Sequence, residues 1–444
     1  MTSHALRALA LGAGVAFAAC GDRDDDCPDT DTDTDTDTDT DVTRLEWWEF
    51  GQADEVLDEV TLFYLGAAWH QSADVSEVLS TAHRVDPDDA TTWFPTWIAT
   101  AQRVEAMAVA YEEAGHRRSA SHAWLRAATY YRAAMHRVYD FTAPEIDEAT
   151  ARAVAAFDNY LLLSDSPCVP VAIPYEDTTL PGYFCKADVD GPAPVLLFHE
   201  GKDGWAEDGK FIAEEAMARG YHALLFDGPG MGKVIRRQGL PFRHDWEAVI
   251  GPIVDYVEAD PDVDPDRIAL CGVSLGGFLA GRAAAYEPRL WAVAVNAGVM
   301  DWSTIYDGYI QAIDPDLLDL LETDPDTFDA TVLQVMAYSA FMDWGLRDSM
   351  WHHGVDTPSA LMREVDRFAM NGDEKQITAH MLVVDAEEET RGQAKPLYDS
   401  LDCPKTYVLF TADEAAQFHV QPGASAIHAE KVFNWLDEVA RSEE

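Results

Sequence analysis

The ten residues IALCGVSLGG at positions 268–277 contain the pattern that decides the fold. The apolar residues 268–270 predict a short buried strand, and the Ala-rich residues 278–286 predict a helix. A sharp turn from strand to helix leaves no room for side chains beside its serine, which accounts for Gly272 and Gly276. The segment therefore predicts a nucleophile elbow with Ser274 as the catalytic serine. The motif alone leaves one alternative open, a simple Gly-rich turn.

An acid and a histidine are expected to follow the serine along the chain, each after a predicted strand. Residues 406–410 predict the last core strand, and His419 in the loop after it is the predicted general base. His428 falls in the predicted closing helix and is the less suitable histidine. Residues 380–385 predict another buried strand. Four acids lie at or beyond the end of that strand, namely Asp385, Glu387, Glu388 and Glu389.

Several segments together resemble the α/β-hydrolase superfamily. They are the turn at residues 227–232, the elbow, residues 392–398, the segment 403–405 and the histidine loop. More narrowly, the chain is similar to the branch that holds 2,6-dihydroxypseudooxynicotine hydrolase, the FrsA-like esterases and relatives described as dipeptidyl aminopeptidases or acylaminoacyl-peptidases. The resemblance runs from about Trp93 to the C-terminus. It implies Glu389 as the triad acid, at a position where relatives usually have Asp.

The resemblance also indicates where an oxyanion would be held. One donor is the backbone N–H of Leu275, directly after the serine. The second donor is expected in the loop that begins at His199, which is similar to the His-Gly oxyanion loop of esterases with Glu200 as an additional residue. We assign this donor to the N–H of Lys202, with Gly201 as the alternative.

The resemblance implies an α/β-hydrolase fold, with a mostly parallel sheet and helices on both faces. We expect an N-terminal helical region at residues 45–163 and the hydrolase domain at residues 164–444. In relatives such N-terminal helices help close the substrate cleft. A helical lid is expected at about residues 301–375, and it includes the adjacent His352 and His353. Its aromatic residues would suit an apolar pocket or ordinary helix packing: Trp302, Tyr306, Tyr309, Phe341, Trp344 and Trp351.

The sequence predicts neither a cofactor nor a metal ion. Residues 227–234 contain glycines and a Gly-Lys pair, but they lack the spacing and the following Ser or Thr of a phosphate-binding loop. The cysteines and histidines show no zinc-ligand spacing. Cys168 and Cys185 could form a disulfide across a predicted strand pair, which spacing alone does not decide.

The first 44 residues indicate export. Residues 1–20 resemble a signal peptide with a bacterial lipobox, in which Cys20 would be lipidated. Residues 21–44 form an acidic Asp-Thr repeat that predicts a disordered tether. We therefore expect a bacterial cell-envelope protein, lipid-anchored or secreted. A cytoplasmic protein with an overextended start codon is the alternative.

The formal net charge of −49 argues against nucleic acid as a partner, because two polyanions repel each other. The same charge argues against binding to an anionic membrane surface, so we expect contact with a membrane only through the N-terminal lipid. A small-molecule substrate is the expected partner, and a homodimer stays open.

These observations favour a serine hydrolase that cleaves an ester, or a C–C bond next to a ketone, through an acyl-enzyme. Two alternatives remain. One is a peptidase of the prolyl-oligopeptidase type, although no propeller-like repeat precedes the predicted core. The other is a degenerate, lipid-anchored hydrolase that only binds its ligand.

Overall fold

The computed structural model describes residues 47–442, and its first part is helical. Asp54 and Asp74 begin the first two helices, because their carboxylates accept hydrogen bonds from backbone N–H groups of the first turn. The helices of this part lie within residues 55–164, where the sequence predicted a helical region at 45–163. The helices are α1 (Glu55–Gly66), α2 (Val75–Ala82), α3 (Trp93–Glu113), α4 (Arg117–Ala134) and α5 (Pro144–Ser164).

An eight-stranded, mostly parallel sheet follows these helices, in the order β1-β2-β4-β3-β5-β6-β7-β8. The first two strands pair antiparallel with each other, β2 pairs antiparallel with β4, and the remaining pairs are parallel. The strands are β1 (Cys168–Tyr175), β2 (Thr178–Cys185), β3 (Ala193–His199), β4 (His222–Phe226), β5 (Val263–Val273), β6 (Leu290–Asn296), β7 (His380–Ala386) and β8 (Lys405–Phe410). A disulfide joins Cys168 to Cys185 across the first pair.

Further helices follow most of the strands. The five between β6 and β7 occupy the region predicted as a lid. The helices are α6 (Lys210–Ala218), α7 (Gly232–Gln238), α8 (Glu247–Glu258), α9 (Leu275–Tyr286), α10 (Ser303–Ile313), α11 (Leu318–Thr323), α12 (Pro325–Met336), α13 (Ala340–His353), α14 (Pro358–Val365), α15 (Ala394–Ser400) and α16 (Ser425–Ser442).

Both faces of the sheet are buried, because successive side chains of each strand point to opposite sides. Leu196 and Phe198 of β3 pack in a hydrophobic cluster with the N-terminal helices and α16. Val195 and Leu197 pack in a second cluster with α8, α9 and the lid helices. The predicted α/β-hydrolase fold, with helices on both faces, is therefore confirmed.

The N-terminal helices and the sheet share one of these clusters, so the boundary predicted between residues 163 and 164 is a change of secondary structure inside a common core. The division into two domains stays a prediction. None of the helices within residues 47–442 is long and apolar enough to cross a membrane.

Candidate active site

Ser274 lies in the turn between β5 and α9, where its backbone has a φ of 59° and a ψ of −126°. This conformation is uncommon for a residue with a side chain, and it raises the serine above the end of the strand. A Cβ at position 272 would lie 2.1 Å from the carbonyl oxygen of Gly276 and 2.8 Å from the Cβ of Ala280. The close approach of strand and helix therefore requires Gly272, as the sequence indicated.

The structure brings Ser274, His419 and Glu389 together in one hydrogen-bonded row. Nε2 of His419 lies 2.8 Å from Oγ of Ser274. Nδ1 of the same ring lies 2.7 Å and 2.9 Å from the two carboxylate oxygens of Glu389. A carboxylate beside Nδ1 holds the proton on that nitrogen, which leaves the lone pair of Nε2 free to accept the serine proton.

The acid beside His419 is Glu389, and the other acids of the same segment have different partners. Glu387 accepts a hydrogen bond from the backbone N–H of Ala412. Asp385 accepts one from the hydroxyl of Tyr407 at 2.5 Å. Glu388 is exposed to solvent.

Glu389 is held as a carboxylate. Its Oε1 accepts hydrogen bonds from the backbone N–H groups of Arg391 at 2.7 Å and Gly392 at 3.1 Å. Burial alone would raise its pKa, but the charge and hydrogen bond of His419, together with Arg391, lower the pKa of Glu389 to about 2. The group is therefore expected to be ionised at neutral pH.

The remaining histidines that the sequence singled out lie away from Ser274. His428 is buried in α16, where it contacts the side chains of Gln421 and Asn296. Burial lowers the pKa of His428 to about 4. His352 and His353 end the lid helix α13, as predicted.

The predicted oxyanion donors lie on two segments that touch each other. A Cβ at position 201 would lie 2.8 Å from the Cβ of Ser274 and 2.9 Å from the amide nitrogen of Leu275, so the loop after β3 passes directly over the elbow. Among the described residues, no acceptor is seen for the backbone N–H of Leu275 or Lys202. The side chain of Lys202 reaches in another direction and forms an ion pair with Asp348 of α13.

A cavity of about 260 Å³ opens above Ser274 and His419. Residues of the region predicted as a lid supply most of its apolar wall, and helix α1 supplies another part. Five of the six predicted lid aromatics line it, whereas Trp351 stacks on Phe141 with ring centroids 4.6 Å apart. The apolar lining residues are Val56, Val60, Phe63, Val273, Trp302, Ile305, Tyr306, Tyr309, Phe341, Met342, Trp344, Leu346, Val420 and Pro422.

Polar residues also line the cavity, and sequence reasoning did not identify most of them. Among them are His136, Glu200, Lys202 and Asp203. Nε2 of His136 is hydrogen-bonded to the hydroxyl of Tyr64 at 2.9 Å. Burial, followed by the charges of Asp208 and Asp227, raises the pKa of Glu200 to about 8. The signal for Glu200 and Asp203 was their place in the loop after a core strand. His136 and the α1 side chains had no comparable signal.

Comparison with known proteins gives relatives over most of the chain. The family model described as the prolyl oligopeptidase family, Peptidase_S9, matches residues 251–330. The hydrolase LUC6 of Fusarium sp is 33% identical over 399 residues, which are 84% of this chain and 94% of that protein. The 20-hydroxy-prefusarin hydrolase FUS2 of Gibberella moniliformis is 30% identical over 402 residues, with the same two shares.

Two solved structures are similar over nearly their whole length. The 2,6-dihydroxy-pseudo-oxynicotine hydrolase has a TM-score of 0.66 at 20% identity, covering 84% of this chain and 95% of that one. AbyA5 has a TM-score of 0.63 at 20% identity, covering 87% and 95%. At this level of identity the likeness concerns the fold.

The comparisons correct the predicted location. The expectation of a bacterial cell envelope is wrong, because the curated relatives that match 84% of this chain are fungal hydrolases. The lipobox interpretation of Cys20 and the tether at residues 21–44 lie outside the described residues 47–442.

Proposed function

Since this chain belongs to the α/β-hydrolase superfamily, we propose that it is a serine-dependent hydrolase that acts on small organic substrates through an acyl-enzyme. The observation that carries the proposal is the continuous row of hydrogen bonds from Ser274 through His419 to Glu389, at 2.8 Å and 2.7 Å. These distances are those that a nucleophile, its base and the orienting acid need for proton transfer.

In the first half of the reaction, Oγ of Ser274 attacks the substrate carbonyl and its proton passes to Nε2 of His419. The imidazolium is stabilised by Glu389, which does not take up the proton itself. The oxyanion is held by the N–H groups of Leu275 and Lys202, with Gly201 as the alternative to Lys202. His419 then returns the proton to the leaving group.

In the second half, water replaces the leaving group. His419 accepts a proton from that water, whose oxygen attacks the acyl carbonyl, and the proton returns to Oγ of Ser274 when the acyl bond breaks.

The cavity favours an apolar acyl or ring-bearing group beside the reacting carbonyl. Its lining includes the rings of Trp302, Tyr306 and Trp344 from the lid region, together with Phe63 of α1. Burying an apolar substrate there contributes about 25 cal/mol per Å² of surface removed from water. An ester is the substrate class we propose first, and cleavage of a C–C bond next to a ketone uses the same groups.

Two other functions have less support. The match to the prolyl oligopeptidase family favours a peptidase, but it covers only residues 251–330 around the elbow. In the described residues, helices rather than repeated strands precede the sheet. A protein that only binds its ligand would have no need of an acid, a base and a serine at hydrogen-bond distance.

The proposal is tested with p-nitrophenyl esters of two to ten carbons. We expect a rapid burst of about one p-nitrophenol per chain and then slower turnover, because the acyl-enzyme accumulates. Ser274→Ala and His419→Ala are expected to lose the burst and at least about 10³-fold in kcat.

His428→Ala is the control, because this histidine is buried in α16 and does not contact the triad. It is expected to keep the burst. Loss of activity in His428→Ala with retention in His419→Ala would overturn the assignment of the base.

A further inference from the structure

Three potential metal ligands lie together next to the cavity, and one of them, Asp203, lines it. Asp203 belongs to the loop after β3, and Asp348 and His352 lie one turn apart on the lid helix α13. Their ligand atoms all lie within 4.8 Å of one another. Side chains four residues apart on a helix share one face, so the spacing of Asp348 and His352 directs both toward the loop.

His352 turns its unused nitrogen toward the two carboxylates. Its Nδ1 lies 2.8 Å from the carbonyl oxygen of Gly230 and must donate its N–H there, because a carbonyl only accepts. Nε2 is buried, and no hydrogen-bond partner is seen for it among the described residues. It lies 3.6 Å from Asp348 and 3.8 Å from Asp203. A proton on Nε2 would be too far from either oxygen for a hydrogen bond.

These distances suit a metal ion at the centre of the group. Two ligands that each lie about 2.1 Å from a tetrahedral Zn²⁺ are about 3.4 Å apart. The observed separations of 3.6 Å and 3.8 Å are within a few tenths of an ångström of that value. One imidazole and two carboxylates, with a fourth position open, form a common kind of zinc site.

The cluster is open to the cavity on one side, and a neighbouring lysine offsets part of its negative charge. The Asp203 side chain is 41% exposed and faces the cavity. Lys202 pairs with Oδ2 of Asp348, which leaves Oδ1 of that carboxylate toward His352. The positive charge of Lys202 acts on both carboxylates, because Lys202 pairs with Asp348 and also interacts electrostatically with Asp203. No hydrogen bond to the carboxylate of Asp203 is seen among the described residues.

We propose that Asp203, Asp348 and His352 bind one Zn²⁺ ion, whose fourth position faces the catalytic cavity. The ion ties the loop that follows β3 to the lid helix α13. Its open position takes water or an oxygen atom of a ligand in the cavity. The proposal rests on this cluster alone and does not depend on the hydrolytic function.

The test is zinc binding by the full chain, measured by titration calorimetry after removal of metals with a chelator. Mg²⁺ at 10 mM is kept in all samples to occupy the acidic surface. We expect one Zn²⁺ per chain, and an affinity at least about tenfold lower in Asp203→Asn. His352→Gln is expected to weaken binding further. If His352→Gln does not fold, Asp203→Asn carries the test, because its side chain is partly open to solvent.

Asp343→Asn is the matched control. Asp343 lies on the same helix, but its carboxylate pairs with Arg347 and is not part of the cluster. Its zinc affinity should equal that of the parent protein. The proposal fails if the parent protein binds no zinc under these conditions, or if Asp203→Asn binds it as tightly as Asp343→Asn.

Anomalous diffraction at the zinc edge gives the location directly. A peak about 2.0–2.2 Å from the three ligand atoms supports the proposal. A peak elsewhere, with none between Asp203, Asp348 and His352, overturns it.

Discussion

Replacement of Glu389 by Gln tests the proposed role of the acid. The substitution keeps the shape of the side chain and removes its charge, so the imidazolium that forms on His419 loses its stabilisation. A pKa of about 2 instead of the usual 4.5 corresponds to a preference of roughly 3 kcal/mol for the ionised carboxylate at this place. The carboxylate is 3% exposed, so solvent screens this interaction little.

His419 is the largest of the groups that produce this preference, with Arg391 contributing the rest. Loss of the full preference of roughly 3 kcal/mol in the transition state would correspond to about a hundredfold in rate. The amide group of Gln can also turn its NH₂ toward Nδ1 and force the wrong tautomer of His419, which increases the loss. We therefore expect kcat for a p-nitrophenyl ester to fall by about 10²–10⁴ in Glu389→Gln, with KM changing much less.

Glu388→Gln is the control, since this neighbouring acid is exposed to solvent. Its kcat should stay within about twofold of the parent value. The assignment is refuted if Glu389→Gln keeps near-parental kcat while Glu387→Gln, Glu388→Gln or Asp385→Asn loses it.

Three further predictions follow from the geometry. In Gly201→Ala, the added Cβ would lie 2.7 Å from the carbonyl oxygen of Val273, so the loop after β3 must move. We therefore expect kcat in the ester assay to fall at least about 10²-fold. Gly308→Ala is the control and should stay active, because a Cβ at position 308 meets open space. Because the folded pKa of Glu200 is raised to about 8, this group makes the fold less stable as pH rises from about 4.5 to about 8. The free energy of unfolding, measured in urea, should therefore fall between pH 5 and pH 8 in the parent protein. In Glu200→Gln this fall should be smaller by roughly 1–3 kcal/mol. An equal fall in both proteins would contradict the burial argument. Cys168→Ser removes the disulfide, which closes a loop of 17 residues. The free energy of unfolding should therefore fall by about 3 kcal/mol. Urea unfolding of the oxidised parent and of the variant measures this difference, and an unchanged midpoint would contradict the prediction.

The parts of the site that the sequence predicted are those with a local pattern. The elbow needs glycines at fixed offsets from Ser274, because strand and helix touch there, and such offsets can be read directly. His419 follows the last core strand by a short loop, so the order of strands was enough to find it. The acid was harder, because four carboxylates lie within five residues and only the direction of each side chain distinguishes them.

What the sequence did not predict depends on contacts between distant segments. Phe63 and His136 reach the cavity only because the N-terminal helices pack beside the lid, and no spacing in the chain indicates this. The proposed zinc ligands Asp203 and His352 are 149 positions apart by residue number and belong to a loop and a lid helix. The spacing of Asp348 and His352 was visible, but two such residues on a helix are common without a metal.

The location was predicted wrongly, because the prediction depended on a short N-terminal pattern that is not specific to bacterial lipoproteins.

The central claim is that Ser274 is the nucleophile. The most direct measurement is the intact mass of the protein after treatment with a fluorophosphonate, followed by peptide mapping of the adduct. We expect one adduct per chain on Ser274, no adduct in Ser274→Ala, and slow labelling in His419→Ala, because the serine hydroxyl then has no base. An adduct on another residue, or full labelling of Ser274→Ala, would contradict the account.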